Sequence, residues 1–157
     1  MKVLYPGTFD PITYGHIDLV ARASKVYDQV TVGVVKDSSK NTLFSFQERV
    51  DLAQKSLKNF KNVKVQTFEG LTVDFARRIK AKVILRGVRM LSDFEYEFQM
   101  ALTNRKIAED IETVFMMPHP DFSYISSKLI KEAFFLGADI SSFVPKEVLT
   151  LLKKRKK

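Results

Sequence analysis

The chain has 157 residues and no cysteine. That excludes a disulfide framework and any thiolate metal site. No apolar run approaches the length of a membrane span, and residues 1–20 lack the features of a signal peptide. The expectation is a soluble cytoplasmic protein. The strand-end loops offer no obvious pair of carboxylates for general-base work, which a hydrolase or glycosidase would normally show. No dedicated carboxylate cluster for a metal is visible, and no internal repeat, linker or low-complexity stretch interrupts the chain before its basic end.

What is present is ordinary globular material. Hydrophobic residues make up 45% and charged residues 28% of the chain, values typical of a folded domain. The length suits a single domain, residues 1–157, able to bury about two-thirds of the surface its unfolded chain exposes. The formal charge of +8 is uneven, because Lys153-Lys-Arg-Lys-Lys157 carries five of those charges and leaves +3 on the body. Residues 153–157 read as a basic C-terminal tail beyond the last patterned helix, a solvated terminus more often than a nucleic-acid arm. A mildly basic body suits an enzyme whose ligands are polyphosphates.

The chain is organised around its first loop, Tyr5-Pro-Gly-Thr-Phe-Asp-Pro-Ile-Thr-Tyr-Gly-His16. The apolar run Val3-Leu4-Tyr5 reads as a buried strand that stops at Pro6-Gly7, and an amphipathic helix runs on from Gly15-His16 to Val26-Tyr27. A strand, a Gly/Pro-rich loop and a helix form a phosphate-binding device, since free backbone N–H groups and the positive end of the helix dipole point at one spot. Thr8, Thr13 and His16 add side-chain donors there. At a helix N-terminus the dipole disfavours imidazolium, so His16 is expected to be a neutral donor in the free protein.

Alternation continues through the rest. Strands are expected at 29–35, 62–68, 82–85 and 112–117. Capping boxes at Ser45-Phe-Gln-Glu48 and Ser92-Asp-Phe-Glu95 open helices to about Asn59 and Ala108. A short helix covers 73–79, Ser126 caps another that Gly137 stops after Leu136, and Pro145 begins a terminal one. Five strands, each followed by a helix, predict a doubly wound five-stranded parallel α/β sheet of Rossmann-like type. In such sheets ligands bind beyond the carboxyl ends of the strands. The chemically notable residues fall there: Thr8, Phe9 and His16; Lys40; Thr72; Arg86 to Arg89; and Phe122 to Lys128. On their own, Lys40 reads equally as a surface lysine, Ser126-Ser127 as an N-cap, and Glu97 as a solvent-facing helix residue.

The string Gly7-Thr-Phe-Asp-Pro-Ile-Thr-x-Gly-His16 resembles the T/HxGH signature of the nucleotidyltransferase superfamily, and within it the bacterial phosphopantetheine adenylyltransferases. The resemblance extends over nearly the whole chain. It includes Lys40-Asn-Thr-Leu-Phe44 with Glu48-Arg49, Gly70-Leu-Thr-Val-Asp-Phe75, Arg86-Gly-Val-Arg89, Asp93-Phe-Glu-Tyr-Glu97, Tyr124-Ile-Ser-Ser127 and Leu129-Ile-Lys-Glu132. It implies that Thr8, Lys40, Thr72 and Arg86 contact phosphopantetheine. By the same resemblance Thr8, Phe9, His16, Gly87, Val88, Arg89, Glu97, Phe122, Ser123, Tyr124, Ile125, Ser126, Ser127 and Lys128 contact ATP. His16, Lys40 and Arg89 would then serve catalysis. Lys128 is a departure, because the family commonly carries a small hydroxyl residue there.

The implied reaction moves an adenylyl group from ATP to 4′-phosphopantetheine, a step of coenzyme A biosynthesis. Mg²⁺ is expected to arrive on the triphosphate, in keeping with its habit of using substrate oxygens and waters. The resemblance also implies a homohexamer, with no nucleic-acid or membrane partner. Two other readings compete: a nucleotidyltransferase of the same fold with a nicotinate mononucleotide or cytidylyl acceptor, and an RNA-binding module. The second predicts stacking aromatics on a basic face, whereas most of the 13 phenylalanines sit at core periodicity.

Overall fold

The computed structural model describes residues 1–36 and 41–156. Strands β1 (Lys2–Gly7), β2 (Gln29–Val35), β3 (Val63–Phe68), β4 (Val83–Gly87) and β5 (Glu112–Met116) form one sheet in the order β3-β2-β1-β4-β5. Every neighbouring pair is parallel. Helices α1 (Tyr14–Val26), α2 (Phe46–Leu57), α3 (Thr72–Arg78), α4 (Leu91–Ile107), α5 (Ser127–Phe135) and α6 (Lys146–Lys156) connect and flank the strands. Buried strand residues such as Val3, Val30, Val32, Ile84 and Leu85 make the core on both faces of the sheet. That two-sided burial is why β2 reads as a near-continuous Val run rather than an alternation. Among the described residues no helix is long and apolar enough to cross a membrane.

The chain winds outward from β1 to β3, then returns to place β4 on β1's other side. The β1/β4 boundary is therefore the point where strand order reverses, the place where such sheets open a ligand crevice. The register shows how it opens. β1 pairs with β2 through Gly7, but with β4 only at Val3 and Leu4. Beyond Leu4 the two strands part, and the guanidinium of Arg86 donates to the Pro6 carbonyl across the gap at 3.0 Å. This is also how Pro6, which has no N–H, sits within a central strand: it lies beyond the paired part of the β4 ladder. The expected stop at Pro6-Gly7 is thus two residues early.

Two other boundaries move. Helix α4 opens at Leu91 with Met90 as its N-cap, so Ser92 lies inside the first turn and the expected box with Glu95 does not cap it. The box at Ser45 forms, with the Ser45 N–H donating to Glu48 at 2.8 Å and the Glu48 N–H to Ser45 Oγ at 3.3 Å. Gly137, at φ +98, ends α5 in the left-handed conformation that favours glycine.

The basic end is not a free tail. α6 continues through Lys156, Arg155 pairs with Glu48 at 2.5 Å, and the Lys156 ammonium donates to the Phe134 carbonyl at 3.2 Å. None of these residues lines the site described below. Deleting 153–157 should leave kcat/KM within a few-fold while lowering Tm, because an exposed ion pair and cation–aromatic contacts each contribute only about 1 kcal/mol or less. A hundredfold loss of activity on that deletion would show that the end of α6 reaches the chemistry.

Candidate active site

The loop after β1 is built to hold one imidazole. Thr13 is the N-cap of α1, and its backbone N–H donates to Nδ1 of His16 at 3.0 Å, with the Thr13 hydroxyl oxygen 3.0 Å from the same nitrogen. His16 thus takes the place that glutamate holds in a capping box. Because Nδ1 accepts, the proton of the neutral ring sits on Nε2. Phe9 fixes the ring from the side, edge to face at 5.2 Å, and is itself edge to face with Tyr5 at 5.6 Å. Phe9 adopts φ 51, a left-handed conformation costly for a residue with a Cβ; its buried ring holds the loop there.

Burial lowers the His16 pKa to about 4, and the nearby Arg89 charge adds to the effect. The neutral donor expected from the sequence is present, but desolvation is the main cause. A ring that folding keeps neutral loses stability as pH falls from its unfolded value near 6.5 through 4, because the unfolded chain then binds the proton first. Nitrogen-15 NMR of His16 should show the Nε2–H tautomer unchanged from pH 8 to about 5.5. A titration midpoint near 6.5 would contradict this environment.

Two cavities meet at this end of the sheet. The first, about 560 Å³, is bounded by the first loop, β4's end and the start of α5. Phe9, His16, Phe122, Ile125, Ser126, Ser127 and Lys128 line it. The second, about 520 Å³, lies toward α3 and α4 and is the one Thr72 lines. Thr8, Arg86, Gly87, Arg89 and Glu97 border both. Gly87 packs closely on α1, since a Cβ there would come within 2.5 Å of a Leu19 methyl and that side chain would have to shift.

The charged groups on this shared wall are held in place. Glu97 faces inward and accepts from Arg86 Nε and Nη2, both at 2.6 Å. With the bond to Pro6, three of the five guanidinium N–H donors are engaged, and hydrogen bonding to Glu97 offsets burial so that the Arg86 pKa is raised. Arg89 is anchored by Asp93 at 3.0 Å and by the Ile125 carbonyl at 2.8 Å. With Arg89 Nη2 also donating to Asp93 at 3.4 Å, each arginine has, among the described residues, one N–H without a partner on each terminal nitrogen.

Other expected positions are placed differently. Ser126 is the N-cap of α5, its Oγ accepting from Leu129 N–H at 3.0 Å, and Ser127 donates to the Pro11 carbonyl at 2.8 Å. Val88 is buried, its N–H bonded to Met116 O at 3.2 Å. Ser123 donates to the Pro120 carbonyl at 2.9 Å, and Tyr124 is 61% exposed with its ring against Phe143. Neither Val88, Ser123 nor Tyr124 lines either cavity. Lys40 lies outside the described residues.

The family model described as cytidylyltransferase-like matches residues 4–133. Phosphopantetheine adenylyltransferase of Moorella thermoacetica is 52% identical over 99% of this chain and 98% of its own. That of Alkaliphilus metalliredigens is 49% identical over 99% of both, and that of Desulfitobacterium hafniense strain Y51 is 51% identical over 97% and 93%. The chain belongs to the phosphopantetheine adenylyltransferase family. Solved structures extend the fold. A Vibrio parahaemolyticus protein described as a nicotinate-nucleotide adenylyltransferase superposes with TM-score 0.76 at 20% identity, covering 99% of this chain and 93% of that one. Nicotinic acid mononucleotide adenylyltransferase of Plasmodium falciparum, complexed with NaAD, superposes with TM-score 0.74 at 16% identity, covering 98% and 95%. At those identities the likeness speaks for the Rossmann-like fold alone.

Membership of this family turns attention to residues that the sequence reading passed over. Asp10, 7% exposed, accepts from Leu43 N–H and Phe44 N–H, both at 2.9 Å, and pairs with Lys131 of α5. Arg49, 2% exposed, donates to the carbonyls of Thr8 at 2.7 Å and Val35 at 3.0 Å. Together they tie the first loop to the end of β2, to residues 43–44 and to α5. The only signal for them was membership in quoted strings, Asp10 in the first loop and Arg49 beside a capping glutamate.

Proposed function

We propose that the protein transfers an adenylyl group from ATP to 4′-phosphopantetheine, giving dephospho-coenzyme A and pyrophosphate. The observation that supports it most directly is the pair of adjoining cavities sharing Thr8 and Arg86, in a chain about half identical to full-length members of the family. One cavity suits the nucleotide and the other the acceptor. A phosphate oxygen of the acceptor attacks the α-phosphorus; the new P–O bond forms as the bond to the β-phosphate oxygen breaks. The nucleophile is already an anion, so no strong base is needed. The remaining task is to bring two anions together and hold the charge that builds on the α-phosphate.

The residues divide that work by position. Arg86, oriented by Glu97, meets the acceptor phosphate with its remaining N–H groups, assisted by Thr8 and Thr72, and the family resemblance adds Lys40 to them. His16 Nε2–H donates to the α-phosphate. Arg89, Lys128 and the N-terminus of α5 receive the departing pyrophosphate. Mg²⁺ would enter on the triphosphate. The cavity's carboxylates are engaged, Asp10 with Lys131 and two N–H groups and Glu97 with Arg86, so substrate oxygens and water are the fitting ligands. Bound there, the ion would neutralise charge on the leaving pyrophosphate.

In the cell the enzyme is cytoplasmic and homohexameric on this reading. Support for assembly comes from α4, where Leu91, Phe94, Phe98 and Leu102 are exposed, an apolar surface that a second copy would cover. Pyrophosphate release from ATP with 4′-phosphopantetheine, set against nicotinate mononucleotide and against CTP as donor, tests the reaction. We expect turnover only with ATP and phosphopantetheine. Equal or faster release with nicotinate mononucleotide would move the assignment to the runner-up.

A further inference from the structure

One buried polar group has no task in this mechanism. Tyr5 stands on central strand β1 and is 5% exposed. Its ring packs edge to face on Phe9 and lies 6.4 Å from the His16 ring. The neighbouring guanidinium groups direct their hydrogen bonds elsewhere, Arg86 to Glu97 and Pro6, Arg89 to Asp93 and Ile125. Among the described residues the phenol makes no protein hydrogen bond, and its oxygen is not one of the fully enclosed polar atoms; it is open to the first cavity.

Its position explains what the missing partner should be. Tyr5 borders the first cavity together with His16, Gly87 and Arg89. A Cβ on Gly87 would stand 3.7 Å from the Tyr5 oxygen, so that oxygen lies beside Gly87 on the cavity wall. Burial pushes the phenol pKa up, more strongly than the charges of Arg86 and Arg89 pull it down. The group is therefore a neutral O–H on the cavity wall it shares with Arg86 and Arg89, each of which is paired with a carboxylate. An anionic oxygen is the acceptor such a donor favours, because a hydrogen bond to an ionised oxygen is stronger than one to a neutral ribose hydroxyl, and each arginine still has N–H groups directed to no carboxylate.

We propose that the Tyr5 hydroxyl is a further substrate-contacting residue, donating to a non-bridging oxygen of the nucleotide α-phosphate beside the donor from His16. The proton stays on tyrosine throughout, and the bonds made and broken at phosphorus are unchanged. This inference rests on the adenylyl-transfer reading of the site. It gives the α-phosphate two neutral, preorganised donors on one aromatic cluster, so that each holds the geometry of the other through Phe9.

Tyr5→Phe tests it, because the ring and its packing stay and only the oxygen leaves. No intramolecular hydrogen bond is lost, so Tm should be unchanged or slightly higher. Turnover of ATP with phosphopantetheine should fall roughly ten- to a hundredfold, with ATP affinity by calorimetry within about threefold. Turnover within about threefold of wild type would overturn the proposal. So would a loss confined to ATP affinity, which would put the donor on the ribose, or a fall in Tm that accounts for the activity lost. Wild-type enzyme assayed in parallel separates the two readings. If it releases pyrophosphate and Tyr5→Phe matches it, only this inference fails; if wild type releases none, the adenylyl-transfer reading fails with it.

Discussion

His16→Ala should turn over at least a hundredfold more slowly than wild type while binding ATP within a few-fold. The ring's Nδ1 is committed to the Thr13 backbone N–H, so its one free donor is Nε2–H, and burial holds the ring neutral with a pKa of about 4. Such a donor matters most where charge grows, at the α-phosphate oxygens in the transition state, and an interaction strengthened only there is lost from kcat rather than from ground-state binding. Removing one preorganised donor costs about 3–4 kcal/mol, or 10²–10³ in rate. The fold should survive, because the ring is at the cavity edge and its packing partner Phe9 remains braced by Tyr5. Steady-state kinetics with calorimetric ATP binding decides it. Turnover close to wild type would reduce His16 to a helix-capping residue and remove the centre of the proposed mechanism.

Asp10→Ala should be the most destabilising single change in the site, by about 3–5 kcal/mol. The carboxylate accepts the N–H groups of Leu43 and Phe44 and pairs with Lys131. Phe44 is fully buried, so its amide cannot turn to water, and each orphaned amide costs about 1–3 kcal/mol. A chain of this size shifts about 2–4 °C per kcal/mol, which puts the loss in Tm at roughly 10 °C. Lys131→Met should cost far less, since Asp10 keeps both backbone partners and a methionine fills the same volume. Thermal unfolding of the two variants and their double mutant measures this asymmetry. Equal losses in the two single variants would mean that the ion pair, not the amide anchoring, holds the loop.

Local signals account for what was legible beforehand. Thr13, Gly15 and His16 marked a helix opening on a donor site, and the boxes and turns at Ser45 and Gly137 marked real helix ends. These are readable because capping and periodicity depend on residues three or four apart. Misplacements came where a distant partner decides. The end of the chain is helical because Arg155 and Lys156 find Glu48 and Phe134, 107 and 22 residues away. Glu97 could as well have faced solvent until β4 placed Arg86 against it.

Taken alone, the sequence determined the alternation of five strands with helices, the parallel two-sided sheet that Val-rich strands require, the first loop as the opening of α1 on His16, and the family. Each depends on residue type and near-neighbour spacing. Only the tertiary structure decided that β1 lies between β2 and β4 and parts from β4 after Leu4, opening the crevice. It also decided the burial that sets the His16 pKa, the Asp10 anchor to residues 33 to 121 positions away, and the place of Tyr5 on the cavity wall. Strand order, desolvation and long-range hydrogen bonds depend on which surfaces are covered and by what, and in a parallel α/β sheet that is settled by packing between segments far apart in the chain.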